Sequence, residues 1–512
     1  MRSVSSNGPS PSSDESVQSK DLGTVSEKTS HLIKRHALPA FAAAIISLGI
    51  QGTLSAQEPA KPEAPAATPA TPAAPGTPEA AVPGSPADAA AKAEAEKLEK
   101  YPELKDAIEL IKQGKYTECL AKLDEAKKAH PELPTGRLLY AEILLRGNQI
   151  VAGRMEIENS IAETPDDPRG YLTLGGLAAN EGRMTDAFLE FNEALKRAEN
   201  FDFHEDKGKE KFIARASIGR ATVFERRKDW KSALADFEAA LAIDPKDGNV
   251  RQRMARCFVQ LGDNDRAMKE LKQAKIDTPT VSPPETAMAT FFATDNQHDK
   301  AEEMFRKGIE ADPSNPIVYT TFAQWLYGRN RGREAKEVVM NGLQTLPEAR
   351  DLRTLRAILA RHLKSYEEAE AELDDLLRDQ PNNGLLLNEL ALALVEQQDP
   401  QKQRRAMEIA VKLVQANQRS ADFVSTFGWV NYRMGQMDRA KQALDLAIKL
   451  AGTQVRPDIY YYFAHILTEE GKNDEVKKLL TKIVQAEQPF AFRDDATQWL
   501  ERLNASATTP SP

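Results

Sequence analysis

The 512-residue sequence has few cysteines, few aromatic residues and no catalytic signature. Cys119 and Cys257 are its two cysteines, and neither belongs to a CxxC or Cys/His arrangement, which excludes a disulfide framework and a zinc motif. HExxH, GxSxG, GxxxxGK[ST] and GxGxxG are all absent from the sequence, and its seven histidines are scattered. The sequence therefore predicts a non-enzymatic protein without metal or cofactor.

Charge of one sign is also not concentrated anywhere in the chain. The formal net charge is −9, from 68 Lys and Arg against 77 Asp and Glu, and it is spread along the sequence. Nucleic-acid binding normally requires a basic patch or stripe, so we expect no nucleic-acid partner. Aromatic residues make up 6%, whereas Ala, Leu, Glu, Lys and Arg are abundant, which is typical of helical proteins.

The first hundred residues differ from the rest. Residues 1–30 are polar and Ser-rich, and we expect them to be disordered. Residues 31–56 run from basic to apolar to small side chains, the order of a secretory signal. Their apolar run of 14 residues, 37–50, is short for a membrane span of about 20 residues. The sequence favours an exported, periplasmic or envelope protein, and it leaves open an uncleaved inner-membrane anchor through residues 37–54, or a buried helix.

Residues 57–99 form a segment rich in proline and alanine. Nine prolines lie within 57–88, where Val82 is the one large apolar residue. Such a chain favours extended polyproline II and could reach about 100 Å at ~3.1 Å per residue. We interpret it as a linker, with a cell-wall spacer or a ligand for proline-binding domains as the alternatives.

From residue 100 onwards the sequence repeats with a period of 34 residues. Prolines recur at this step, and alanines usually stand twelve residues before each proline. A large apolar residue usually follows four positions after the alanine. The prolines are at 131, 165, 245, 279, 313, 347 and 381, and the alanines at 187, 233, 267, 301, 335, 369, 406 and 440.

This period resembles the tetratricopeptide repeat family, whose 34-residue pattern is W-x2-L-G-x2-Y, then A-x3-F, then P. In the clearest copy Leu174 and Gly175 occupy the first helix, and Ala187, Phe191 and Ala194 the second. The resemblance covers residues 100–490, although no copy has tryptophan at the first signature position. The eleven copies begin near residues 100, 134, 168, 214, 248, 282, 316, 350, 384, 421 and 457.

The resemblance implies an all-α fold, a right-handed superhelical α-solenoid of about eleven helix-turn-helix repeats. Gly182 is expected in a left-handed turn, and the small residues at 175, 187 and 194 where helices approach closely. Both cysteines are expected to be small core residues. Residues 491–503 are predicted to form a capping helix and residues 504–512 a disordered tail, while an insertion at 200–211 is expected to interrupt the period.

Members of this family usually bind segments of other proteins in the groove lined by their first helices, so the resemblance implies protein or peptide partners. Helical spacing predicts two groups of lining residues. The aromatic group stands out in a chain poor in aromatic residues, but its rings could instead cover the last turn or pack against the cap. The arginine group could be a solvated face. The aromatic group is Trp429, Tyr432, Tyr461, Tyr462 and His465, flanked by Asp422 and Asp458, and the arginine group is Arg169, Arg215, Arg226, Arg253 and Arg256.

Three functions remain possible from the sequence. The favoured one is a scaffold, exported or anchored in the envelope, that assembles other proteins. The second is an accessory factor that contacts envelope polysaccharide or peptidoglycan, or an assembly factor for an envelope complex, and the third is an enzyme. The paired lysines and asparagines that clamp terminal carboxylates in some members of the family are absent at the matching positions, so recognition of chaperone tails is not expected.

Overall fold

The computed structural model describes residues 95–205, 207–486 and 488–508. Within these residues it contains twenty-three helices from Pro102 onwards, a further helical stretch at 95–100 and no strand, which confirms the all-α prediction. The last residues of the predicted linker 57–99 are therefore helical. The chain divides into two compact units, Met1–Pro245 and Lys246–Pro512. None of the helices in the described ranges is both long enough and apolar enough to cross a bilayer.

The first unit contains four helix pairs in its described part. Helices within a pair pack along each other, and each pair also contacts the next. The eight helices are α1 Pro102–Lys112, α2 Tyr116–Ala129, α3 Gly136–Arg146, α4 Ile150–Glu163, α5 Pro168–Asn180, α6 Met184–Ala198, α7 Gly208–Arg226 and α8 Trp230–Ile243.

The second unit contains seven helix pairs and a final helix in its described part. The helices are α9 Gly248–Gln260, α10 Asn264–Asp277, α11 Pro284–Thr294, α12 His298–Ala311, α13 Pro316–Gly328, α14 Gly332–Thr345, α15 Arg350–His362, α16 Tyr366–Asp379, α17 Gly384–Val395, α18 Pro400–Ala416, α19 Ala421–Arg433, α20 Met437–Ala451, α21 Pro457–Glu469, α22 Asn473–Val484 and α23 Arg493–Thr508. The first helix of each pair begins within two residues of its predicted start, except for α7.

The turn inside each repeat explains the recurring glycine. Gly182 joins α5 to α6 with φ of +77°, a left-handed conformation that costs glycine little. Asn148, Asn296 and Asn330 take the same conformation in other repeats, and asparagine is the non-glycine residue best suited to it. The prediction for Gly182 is confirmed.

Small residues mark the close helix contacts, as predicted. A Cβ atom added at Gly175 would lie 2.9 Å from the Phe191 ring, closer than real Cβ contacts allow. Ala187 and Ala194 are fully buried in the same helix pair. Cys119 and Cys257 are buried thiols outside any disulfide in the described residues, as expected for small core residues, and burial raises the pKa of Cys119 to about 12.

The insertion at 200–211 is packed rather than loose. Phe203 and Phe212 are buried, and their ring centroids are 5.1 Å apart. Helix α7 starts at Gly208, so the predicted start at 214 is wrong because the insertion lengthens this helix at its N-terminal end.

The capping helix is present and longer than predicted. Helix α23 runs from Arg493 to Thr508, past the predicted boundary at 503, so the first part of the predicted disordered tail is helical. The predictions for residues 1–94 and 509–512 lie outside the described residues.

Candidate functional site: the inner layer of the second unit

First helices of successive repeats contact one another in the second unit. Helix α13 contacts α15, α15 contacts α17, α17 contacts α19, and α19 contacts α21. We call the surface formed by these five helices the inner layer. Side chains that point away from the second helices of the repeats therefore meet on a shared surface.

The predicted aromatic group does come together on this layer. The ring of Trp429 stacks on Tyr462 with centroids 4.4 Å apart and on Tyr432 at 5.2 Å. Tyr461 and His465 are in edge contact at 4.9 Å. The prediction that α19 and α21 bring these rings into one cluster is correct.

The rings are nevertheless not exposed to a partner. Trp429 and Tyr462 are each 2% exposed, and Tyr461 is 7% exposed. The expectation of an exposed aromatic surface is therefore wrong. The rings instead pack against the cap, which was the alternative left open by the sequence. Phe427 and Tyr460 on the same two helices are partly buried against the cluster.

The segment before the final helix covers the aromatic cluster. We call residues 485, 486 and 488–492, between α22 and α23, the C-terminal strap; Glu487 lies outside the described residues. Phe492 of the strap stacks on Tyr461 with centroids 4.7 Å apart, and Trp499 of α23 approaches His465 at 4.6 Å. The strap and α23 together bury the rings of α19 and α21. Burial lowers the pKa of His465 to about 4.

A polar cluster lies beside the rings on the inner layer. Arg361 of α15 is buried and donates from Nε to the Glu389 carboxylate of α17 at 2.5 Å. Thr426 of α19 donates to Oδ1 of Asn388 at 2.8 Å. Each pair joins neighbouring first helices, and a buried charge is tolerated when it is paired and hydrogen-bonded in this way.

Two carboxylates and an arginine complete the cluster near α21. Arg456 lies 3.3 Å from Asp422 and 3.5 Å from Asp458. Burial raises the pKa of Asp458, against the opposing influence of Arg456 and Arg361. Asp458 is buried, whereas the side chains of Arg456 and Asp422 are 51% and 47% exposed. The cluster thus has a buried floor and an accessible rim.

The space within this polar cluster is small. Its cavity of about 20 Å³ has room for about one water molecule. The cluster therefore offers hydrogen-bonding groups to a chain that crosses it, rather than a pocket that encloses an organic ligand. The cavity is lined by Arg361, Asn388, Glu389, Leu392, Asp422, Ser425, Thr426, Arg456, Asp458, Ile459 and Tyr462.

His362 connects the polar cluster to α13. Arg361 donates to its Nε2 at 2.6 Å, and its Nδ1 is hydrogen-bonded to the hydroxyl of Tyr327. Since Nε2 accepts from a guanidinium, the neutral ring carries its proton on Nδ1 and donates it to Tyr327. Burial, with the charge of Arg361 beside it, holds the pKa of His362 well below its usual range.

The C-terminal strap crosses the inner layer from α21 towards α13. The backbone of Ala491 lies beside the Asp458 carboxylate and favours its charged form. Earlier in the strap, Pro489 and Phe490 line a cavity of about 110 Å³ together with Tyr327 and His362.

Arg493 fixes the strap at its C-terminal end. Its guanidinium donates to the carbonyl oxygens of Val484, Ala486 and Gln488 at 2.6 to 2.7 Å. One side chain therefore holds three backbone positions and sets the path of the strap across the layer.

The predicted arginine group is divided between the two units. Arg215 and Arg226 are exposed on α7 of the first unit. Arg253 and Arg256 are partly buried on α9 of the second. Arg169 is not a free surface charge, because it forms an ion pair with Asp167 and stacks over a phenylalanine ring. A binding role for these arginines stays a prediction.

Sequence reasoning missed Arg361, Asn388 and Glu389. A signal for two of them was present, because "GLLLNELALALV" places Asn388 and Glu389 in an otherwise aliphatic helix. Two polar residues in a helix that is buried on most sides indicate a partner on a neighbouring element.

Sequence comparison identifies the repeats. Profiles of the tetratricopeptide repeat family match residues 226–289, 287–315 and 354–418. The chain is similar to the Hsp70-Hsp90 organizing protein of Triticum aestivum, 22% identical over 276 residues that cover 52% of the chain and 46% of that protein. It is also similar to the cellulose synthase operon protein C of Pseudomonas fluorescens, 23% identical over 224 residues that cover 40% of the chain and 16% of that protein. The chain spans less than half the length of these curated relatives.

Among solved structures, the chain is similar to yeast Tom70, with a TM-score of 0.33 and 14% identity. The match covers 80% of the chain and 97% of that structure.

Proposed function

Since the chain belongs to the tetratricopeptide repeat family, we propose that it is a non-enzymatic scaffold that binds segments of partner proteins on the inner layer of its second unit. The observation that supports this most is the polar cluster of Arg361, Glu389, Asn388, Asp458 and their neighbours. Buried ion pairs contribute little net stability compared with apolar packing of the same volume. Their position on the layer of first helices therefore favours recognition over stability.

The rim of the cluster suits the backbone and side chains of a peptide. Asp422 can accept a hydrogen bond from a peptide N–H, and Arg456 can donate to a carbonyl or a carboxylate. Both side chains are about half exposed, so a partner reaches them without unfolding the layer. The buried pairs beneath hold the helices that carry this rim at a fixed separation.

Pull-down of partners by the full chain from an envelope extract, after chemical crosslinking, tests the surface. The double variant Asp422→Ala/Arg456→Ala should recover at least about tenfold less of each specific partner, equivalent to about 1.4 kcal/mol or more. Its circular dichroism spectrum should be unchanged, because both residues lie at the rim.

The matched control removes exposed charge from the first unit. Arg215→Ala/Arg226→Ala deletes two exposed arginines and should leave recovery unchanged. If this control lowers recovery while the rim variant does not, the binding surface belongs to the arginine group of the first unit.

We also propose that the protein acts outside the cytoplasm, in the periplasm or elsewhere in the cell envelope. The order of basic, apolar and small residues in 31–56 supports this proposal. Cell fractionation followed by N-terminal sequencing tests it. A mature chain beginning near residue 57 in the envelope or periplasmic fraction is expected, and a cytoplasmic chain that retains residues 31–56 would contradict export.

An accessory role in envelope polysaccharide synthesis is a second candidate. The similarity to a protein named for a cellulose synthase operon favours it. Sugar-binding surfaces use exposed aromatic rings, and the cluster around Trp429 is buried, which favours a protein partner for this chain. Retention on cellulose or peptidoglycan by the wild-type chain, lost in the rim variant, would support the second candidate.

A further inference from the structure

The C-terminal strap has the features of a bound peptide rather than of an ordinary connection. It leaves α22 at Val484, crosses the inner layer and enters α23 at Arg493. Phe490 and Phe492 are buried in the aromatic cluster, and the backbone of Ala491 between them lies beside Asp458. Buried aromatic anchors are the contacts that carry most of the binding energy of a docked segment.

The two anchors pack against the same ring. Phe490 and Phe492 both reach Tyr461, with ring centroids at 6.5 and 4.7 Å. Arg493 lies over the Phe490 ring at 5.2 Å and fixes the end of the segment.

Resting on the proposed function, we propose that the strap is an internal ligand of the inner layer and that the partner carries the same chemistry. The partner segment has two aromatic residues two positions apart and continues with an arginine, as in "PFAFR" of residues 489–493. Partner and strap use the same rings, so they exclude each other.

The surroundings of the strap favour exchange. The cavity of about 110 Å³ between the strap and the pair Tyr327 and His362 leaves its Pro489 end incompletely packed. Close packing normally leaves few voids of this size, so this end of the strap is where displacement begins. A tethered ligand competes at high effective concentration, and the apparent affinity of a partner falls in proportion to the fraction of chains that are closed.

Two variants open the strap without changing the surface beneath it. Phe490→Ala/Phe492→Ala removes the anchors, and Arg493→Ala releases the three carbonyl oxygens that the guanidinium holds. Arg378→Ala is the matched control, because Arg378 is an exposed arginine on α16. All are made in the full chain, and circular dichroism reports whether each remains folded.

Fluorescence anisotropy with a labelled QPFAFRD peptide, the sequence of residues 488–494, measures the opened surface. Both strap variants should bind it at least about tenfold more tightly than the wild-type chain and the Arg378→Ala control. The peptide QPAAARD should bind to none of them. In the pull-down, the strap variants should recover more partner than the wild-type chain.

The outcomes separate this proposal from the proposed function. The strap would be only a cap if the strap variants fold but do not bind the peptide, or if both variants unfold. Partner recovery by the wild-type chain would still support a scaffold in either case. Peptide binding by the opened chain without any recovered partner would support the internal ligand and contradict the scaffold.

Discussion

Replacing Trp429 by alanine distinguishes a structural cluster from a binding surface. Trp429 is 2% exposed, and its ring is stacked between Tyr432 and Tyr462. Its Nε1–H donates to the Glu396 carboxylate at 2.7 Å. The substitution therefore removes both a stacked ring and the hydrogen-bond donor to the largely buried Glu396 carboxylate.

The magnitude follows from these two losses. Truncation of a buried Trp to Ala costs about 3–5 kcal/mol through lost burial and the cavity left behind. Loss of the indole donor to Glu396, whose pKa burial already raises, adds about 1 kcal/mol. Arg433 at 3.4 Å still compensates part of the charge, so the total expected is about 4–6 kcal/mol.

Hydrogen exchange followed by mass spectrometry is the assay, because helix pairs in repeat proteins open locally rather than all at once. A loss of about 4 kcal/mol corresponds to nearly a thousandfold faster exchange, expected in α19, α21 and α23. Trp230→Ala, in α8 of the first unit, is the control and should leave these helices protected. Unchanged protection in α19 and α21 of Trp429→Ala, together with lost partner recovery, would refute our assignment of the ring to the core.

Three further predictions concern the register and the pH dependence of the fold. Ala187→Leu should cost about 1–3 kcal/mol in urea melts by overpacking, and Leu189→Ala, 59% exposed, less than about 1 kcal/mol; the reverse order would contradict the register. Because the pKa of His465 is lowered to about 4, the unfolded chain takes up a proton below pH 6.5 that the folded chain does not, so stability should fall by about 2–3 kcal/mol between pH 6.5 and 4. His465→Gln should flatten that fall, and the same change at the exposed His204 should not. A hydrogen bond from a neighbouring arginine lowers the pKa of Glu302 to about 2, so Glu302→Gln should cost about 1–2 kcal/mol at pH 7, and this difference should vanish as the pH falls from 4.5 to 2.

The repeat architecture was predictable because each repeat carries the residues that its own turn and helix contacts require. Gly182 and Ala187 stand at positions where backbone conformation or helix contact admits only small residues, and the same requirement returns every 34 residues. Because this requirement recurs in eleven copies, the copies that depart from it do not obscure the period. The packing of the insertion at 200–211 was not predictable in this way, because the contact of Phe203 with Phe212 lies where the insertion breaks the 34-residue period.

The burial of the rings in the last two repeats could not be predicted, since it depends on a segment without any period. Trp429 and Tyr461 stand where earlier repeats place lining residues, and helical spacing alone assigns them to an open groove. Whether that groove is covered depends on Phe490 and Phe492 in a strap with no helical or strand pattern. Sequence periodicity carries no information about where such a segment lies.

The polar cluster was missed for a different physical reason. Arg361 is the residue before a histidine near the end of a helix whose exposed face carries other arginines, so its sequence neighbourhood does not mark it as buried. Its burial follows from Glu389, 28 residues later, which supplies the compensating charge across two first helices. A buried ion pair is a property of two positions together, and one sequence shows each position separately.

The same reasoning bears on why the strap and the cluster occur at the same end of the chain. A solenoid must cover the apolar face of its last repeat, and an aliphatic cap would serve that purpose with less cost than buried charge. Instead, the strap places two aromatic anchors against Tyr461, beside Asp458, a buried carboxylate that Arg456 approaches to 3.5 Å. A partner that displaces the strap must therefore place aromatic rings of its own over Tyr461, because the uncovered ring would otherwise lose that apolar contact.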